Sequence, residues 1–285
     1  AITWAQRGFS FAGWGVGGPS GWFHNSGEFG LQMAMICVMS LCYYVGPKQY
    51  LSGWRKWLVL AVPITSFMTV MASSNRGDYL ALVVGLFWLA LAAKGRRVIT
   101  AFAVILILGI GYWAMPSEMV ERFSVAGDED DYTSYTRETR WKAGFEIFRD
   151  NPVFGVGTGS WLAYYMAIYP REEGGEGWGL PHNSFIQVIG EHGVPGLIFF
   201  IMIFGGMFLL NKRTREIAVS SNAQVLFWLS RGFDAATVVY LIGGSFMSVF
   251  YYPYVWVHAA MILSLHTAAT KNLMSSTLEK NRGMI

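Results

Sequence analysis

Charge is scarce in this chain: only 14% of its 285 residues are Asp, Glu, Lys or Arg, against 53% hydrophobic and 16% aromatic. Ordinary soluble domains carry roughly a quarter charged residues, so the composition excludes a soluble globular fold and indicates an integral membrane protein. Cysteine is nearly absent as well. Cys37 and Cys42 are the only two and share one apolar run, which excludes a disulfide framework and leaves no second pair for a structural metal site. Polar and apolar residues do not alternate in runs such as 98–111, which argues against a transmembrane β-barrel. Internal repeats, low-complexity tracts and nucleic-acid-binding signatures are missing too.

What is present is a series of long apolar segments near the roughly 20 residues that a membrane-crossing helix needs. The expected fold is all-α integral membrane, a single membrane domain over residues 1–285, with seven spans at roughly 29–45, 57–73, 79–93, 98–115, 195–210, 233–251 and 253–269. The last two share a tight Tyr-Tyr-Pro-Tyr turn. The chain opens on Ala1 and a Gly-rich aromatic stretch with no signal-peptide pattern; a start on the outer side implies that N-terminal spans precede it.

Orientation follows from where basic residues fall between spans. With the first span running inward, 13 of the 21 basic residues are cytoplasmic: Lys48, Arg55, Lys56, Lys94, Arg96, Arg97, Lys212, Arg213, Arg215, Arg231, Lys271, Lys280 and Arg282. The outer side holds 15 of the 18 acidic residues with Arg7, Arg76, Arg122, Arg137, Arg140, Lys142, Arg149 and Arg171. The long segment 117–194 therefore faces outward, and the bias there toward arginine suits two-pronged recognition of phosphate.

Long loops between spans are where function concentrates. Residues 136–150 have helical spacing, with Trp141, Phe145 and Phe148 on one stripe and Arg137 at its edge, where a charge needs either an acidic partner or an anionic ligand. Asn151-Pro152 ends that helix. The glycines of Gly155-Val156-Gly157-Thr158-Gly159 have no preceding strand and so no dinucleotide fingerprint; they suit close passage of backbone beside a helix or substrate. Next comes a short helix with Asn183 as N-cap, Gly193 at its C-terminal cap and Pro195 just beyond. His182 then sits at the positive end of the helix dipole, which favours a neutral imidazole able to accept a proton. Arg76, at the outer edge of a span beside Asp78, either snorkels to headgroups or reaches a lipid-linked phosphate. The run Asp128–Asp131 invites a divalent-metal reading but has no matching ligand set.

In order, Ser74-Asn75-Arg76-Gly77, Arg137 four residues before Trp141, Asn151-Pro152-Val153-Phe154-Gly155-Val156-Gly157, and His182-Asn183 followed by Glu191-His192-Gly193 and Gly196 resemble the O-antigen ligase and O-antigen polymerase superfamily of bacterial polytopic membrane proteins. The resemblance covers roughly Ser73 to Leu210. Asn75 departs from the family pattern, and Arg140 competes with Arg137 for the loop-arginine position. The resemblance implies an inverting glycosyltransferase, independent of metal and cofactor, in the bacterial inner membrane. It would move a glycan from undecaprenyl diphosphate to an acceptor hydroxyl on the periplasmic face. The acceptor is a lipid A-core, a growing glycan or a protein hydroxyl, so ligase, polysaccharide polymerase and protein O-glycosylation ligase all remain open. In that chemistry His182 is the base, Arg76, Arg137 and Arg140 face the donor diphosphate, and Asn183 and Glu191 support them. The rival class is a lipid-linked glycan transporter or flippase. Transporters tend to carry ionisable residues at mid-span, and the second to fifth spans lack them.

Overall fold

A computed structural model of the chain describes residues 2–6, 15–19, 21–45, 51, 53–92, 109, 132–169 and 179–282. Every regular element among them is helical: α1 (Ile2–Gln6), α2 (Ser26–Val45), α3 (Arg55–Ala72), α4 (Arg76–Ala92), α5 (Tyr132–Asp150), α6 (Trp161–Ile168), α7 (Ser184–Ser220), α8 (Gln224–Gly244) and α9 (Pro253–Arg282). Among the described residues α3, α7 and α8 are long and apolar enough to cross a membrane. Apart from residue 109, the expected span 98–115 lies outside the described residues, as does the acidic run Asp128–Asp131.

The apolar runs expected at 29–45, 57–73 and 79–93 fall on α2, α3 and α4. The run at 233–251 is corrected at both ends. α8 begins earlier, at Gln224, and stops at Gly244, because a helix can continue past its apolar stretch into polar surroundings. Turn hydrogen bonds from Ser245 N to Ile242 O (3.1 Å) and from Phe246 N to Gly243 O (2.9 Å) then bend the chain away. Pro253 opens α9, at the one helical position where its missing N–H costs nothing.

Packing centres on α8, which lies against α2, α4 and α7, while α9 lies mainly against α7. The core of this bundle includes Leu31, Val38, Leu82, Val239 and Tyr240, all essentially inaccessible. Helices meet at small residues: a Cβ on Gly85 would stand 2.3 Å from Val239 Cγ2, and one on Gly243 would stand 2.4 Å from Leu31 Cδ1. Close approach of this kind replaces the hydrophobic drive that lipid removes. Leu58, Phe87, Phe199, Ile201, Met202 and Leu263 are more than half exposed, the apolar exterior that a lipid-facing bundle requires.

α5 confirms the helix expected at 136–150 but presents a different face. Thr136, Ala143 and Ile147 are buried, whereas Phe145 is 58% exposed. The reason is steric: a Cβ on Gly144 would come within 2.2 Å of Ile186 Cγ2 on α7. Only the narrow side of α5 fits against α7, so the larger ring points out.

Candidate active site

α7 is two helices in series, broken at Gly193, whose φ of 62° and ψ of −152° are non-helical. The segment after α5 is laced into that break. Val156 N donates to Gly190 O and Gly157 N to Glu191 O, both at 2.9 Å, and Val194 N donates to Pro152 O at 2.8 Å. A Cβ on Gly193 would lie 2.5 Å from Pro152 O, and one on Gly155 would lie 2.4 Å from Glu191 C. The Asn151-to-Gly157 motif thus serves as a backbone splint for the break in α7, so its glycines pass beside a helix.

His182 stands just before α7, with its backbone at φ 48°, a left-handed conformation that is uncommon for a residue with a side chain. Neighbours on both sides hold it there. Asn183 caps the helix, its Oδ1 accepting from Phe185 N at 2.9 Å and Ile186 N at 3.1 Å. Ser184 Oγ donates to Met247 O at 2.7 Å and accepts from Val249 N at 3.0 Å, fastening the start of α7 to the turn between α8 and α9. Upstream, Pro181 O accepts from Trp141 Nε1 at 2.8 Å and Gly179 O from Trp161 Nε1 at 3.2 Å. Arg140 Nη1 reaches Leu180 O at 3.4 Å. A backbone pinned at this many points can keep a sparsely populated conformation.

The imidazole lies in the field of Arg137 and Arg140. Burial, then Arg137, then Arg140 push its pKa down from 6.5 to about 4, because burial and nearby positive charge both disfavour the imidazolium. His182 is therefore neutral at pH 7. The three residues form one cluster, and within it the arginines differ: Arg140 also braces the 179–180 segment, with its guanidinium against Gly179.

Arg76 begins α4. Asn75 is the cap that precedes it, its Oδ1 accepting from Gly77 N at 2.9 Å and Asp78 N at 3.3 Å. That role explains why an asparagine stands between Ser74 and Arg76. Asp78 is fully buried and accepts from Ser73 Oγ at 2.9 Å. A Cβ on Gly77 would be 2.9 Å from Phe246 Cβ, so α4 starts against the same α8–α9 turn that holds Ser184. Arg76, at the start of α4, and His182, two residues before α7, consequently stand at the heads of two helices that abut one turn.

Glu191 is further off, nine residues along the same half-helix, or about 13 Å by helical rise. Its buried carboxylate accepts from Trp161 N, at the start of α6, at 3.2 Å and from the Tyr251 hydroxyl. That hydroxyl also meets His192 Nε2 at 2.7 Å. Beside it, the Tyr252 hydroxyl donates to Glu28 of α2, which also accepts from His24 N at 2.7 Å. Burial first, and then the adjacent glutamate, raise the pKa of each tyrosine above its ordinary value, so both hydroxyls keep their protons. Neither tyrosine nor Glu28 was anticipated from sequence. A lone acidic residue at the head of an apolar span was the available signal. Among the described residues no three His, Cys, Asp or Glu side chains converge as a metal site would require.

A sequence model of the O-antigen ligase family matches residues 58–201, half of the chain. The chain belongs to the O-antigen ligase family. Comparison with curated proteins gives no match. The family segment runs from α3 through the break in α7, so it contains Arg76, Arg137, Arg140, His182, Asn183 and Glu191. Membership in the O-antigen ligase family carries with it a membrane glycosyltransferase activity of the ligase or polymerase kind.

Proposed function

We propose that this O-antigen ligase family member transfers a glycan from undecaprenyl diphosphate to an acceptor hydroxyl at the periplasmic face of the bacterial inner membrane. What supports this assignment is the neutral His182 at the head of α7, in the electrostatic field of Arg137 and Arg140. An acceptor alcohol needs a proton acceptor, and a departing diphosphate needs fixed positive charge. The cluster supplies both.

The acceptor oxygen attacks the anomeric carbon as the bond to the diphosphate oxygen breaks, and the lipid diphosphate leaves with the electron pair. The hydroxyl proton passes to His182. Arg137 and Arg76 take the diphosphate oxygens, and Arg140 divides its role between the field and the 179–180 segment. Occupancy by the diphosphate offsets the positive charge beside His182, which lifts its pKa toward the ordinary value when a base is needed. Departure of the lipid diphosphate restores the field and expels the proton to water. Asn183 sets the position of the imidazole through the cap, and Glu191 acts at a distance by holding α6 and the α8–α9 turn.

A single displacement inverts the anomeric centre. The test is transfer from a lipid-diphosphate glycan by the full-length protein in membranes that lack their own ligase and polymerase, with the product's anomeric configuration read by NMR. Inversion is expected; a retained configuration would overturn the single-displacement step. Product size and attachment distinguish transfer to a lipid A-core, to a growing glycan and to a protein hydroxyl.

A further inference from the structure

The end of the bundle remote from His182 carries a second cluster of charge. Asp234 of α8 is buried, and both of its oxygens are used: Oδ2 accepts from Arg215 Nη1 of α7 at 2.5 Å and Oδ1 from Asn211 Nδ2 at 2.8 Å. Arg215 Nη1 also reaches Ser230 O at 3.4 Å. One turn before Asp234, Arg231 lies half-buried over the Phe227 ring, 5.5 Å from its centroid, and within electrostatic range of both Arg215 and Asp234. Its Nε is buried without a hydrogen-bond partner. Two guanidiniums thus share one carboxylate, each of whose oxygens already accepts a hydrogen bond. Among the described residues no other ion pair engages either arginine.

On the same turn of α7, Glu216 is exposed, as are Lys212 and Arg213, and Glu216 forms no ion pair with either arginine among the described residues. Arg215 lies 21 residues beyond Val194, about 32 Å by helical rise, which is about the thickness of a bilayer's hydrocarbon core. Leu209, Val219 and Leu263 are exposed around it, and Phe227 and Trp228 supply the aromatic side chains typical of the membrane boundary. The counter-ion available at such a boundary is a lipid phosphate, for which arginine forks are well shaped.

We propose that Arg215 and Arg231 hold the phosphate of an anionic phospholipid headgroup in the leaflet opposite His182. The site is independent of the transfer chemistry. It is tested on the full chain in nanodiscs of zwitterionic lipid with added phosphatidylglycerol, counting retained phosphatidylglycerol by native mass spectrometry. Arg231→Gln is expected to weaken retention about five- to tenfold, the loss of one guanidinium at a membrane surface. Arg213→Gln, an equal charge change at an exposed neighbour, is expected to leave retention within about twofold. Equal losses in the two variants would show diffuse attraction only and overturn the site, as would unchanged retention in Arg231→Gln. Displacement of the lipid by millimolar inorganic phosphate would likewise refute a lipid site in favour of a soluble anion. If Arg231→Gln does not fold, Arg231→Lys keeps the charge without the fork, and full retention in that variant counts against the proposal.

Discussion

Replacing Arg137 with glutamine moves the acid limb of the kcat/KM profile upward by roughly 0.5–1 pH unit. The limb reports the pKa of the free enzyme's essential base, and the base proposed here is His182, held at about 4. A fall from 6.5 to about 4 corresponds to roughly 3 kcal/mol between protonation states. Burial accounts for the largest part, and Arg137 comes ahead of Arg140 in the remainder. Both arginines are partly exposed, so water screens them, and removal of one returns on the order of 1 kcal/mol. Donor binding makes a second comparison possible. In the wild type the kcat limb, which reports the donor-bound enzyme, is expected above the kcat/KM limb, because a bound diphosphate would offset the field. In Arg137→Gln both limbs are expected to move up. The assay is initial-rate transfer from a lipid-diphosphate glycan in detergent between pH 4 and 8. An acid limb that stays in place, or moves down, in Arg137→Gln refutes the electrostatic coupling.

Asn183→Ala removes the cap of α7 and costs about 1 kcal/mol of stability; kcat is expected to fall more than KM rises, because the imidazole is displaced while the donor's arginines remain. Gly193→Val forces a branched side chain to φ 62° and against Pro152 O; a loss of at least about 2 kcal/mol is expected, visible as a lower thermal midpoint and earlier proteolysis after residue 150. Acid should loosen the protein through His182 in particular. Between pH 6.5 and about 4 the unfolded chain takes up a proton that the folded chain refuses, so this group lowers stability as pH falls through that window and adds nothing further below it. A flatter dependence of the thermal midpoint on pH in His182→Gln checks this.

Much of this architecture was legible in the sequence. The apolar runs located α2, α3, α4 and the second half of α7, and the Asn183–Gly193 signals located the first half, because caps and breakers act locally. The limits of α8 were not legible, since apolarity marks the part of a helix that lipid needs and says nothing of its extension beyond. The buried face of α5 was misjudged for a related reason: side-chain size suggested the stripe through Phe145, but the close contact of Gly144 with α7 decides which side faces in. His182 lies more than 40 residues beyond Arg137 and Arg140 and yet was suggested with them by motif, and the structure puts it in the field of both. Glu191 was assigned a supporting role in the same site by the family resemblance. Its partners are Trp161 and Tyr251, which only three-dimensional folding brings to it.

The most direct measurement pairs donor binding with transfer in His182→Ala, in a membrane-inserted protein of normal thermal midpoint. Retained binding of the lipid-diphosphate donor with transfer reduced by about a hundredfold or more, the usual worth of a general base, is the predicted result. Transfer at the wild-type rate in that variant would contradict the assignment of His182 as the base.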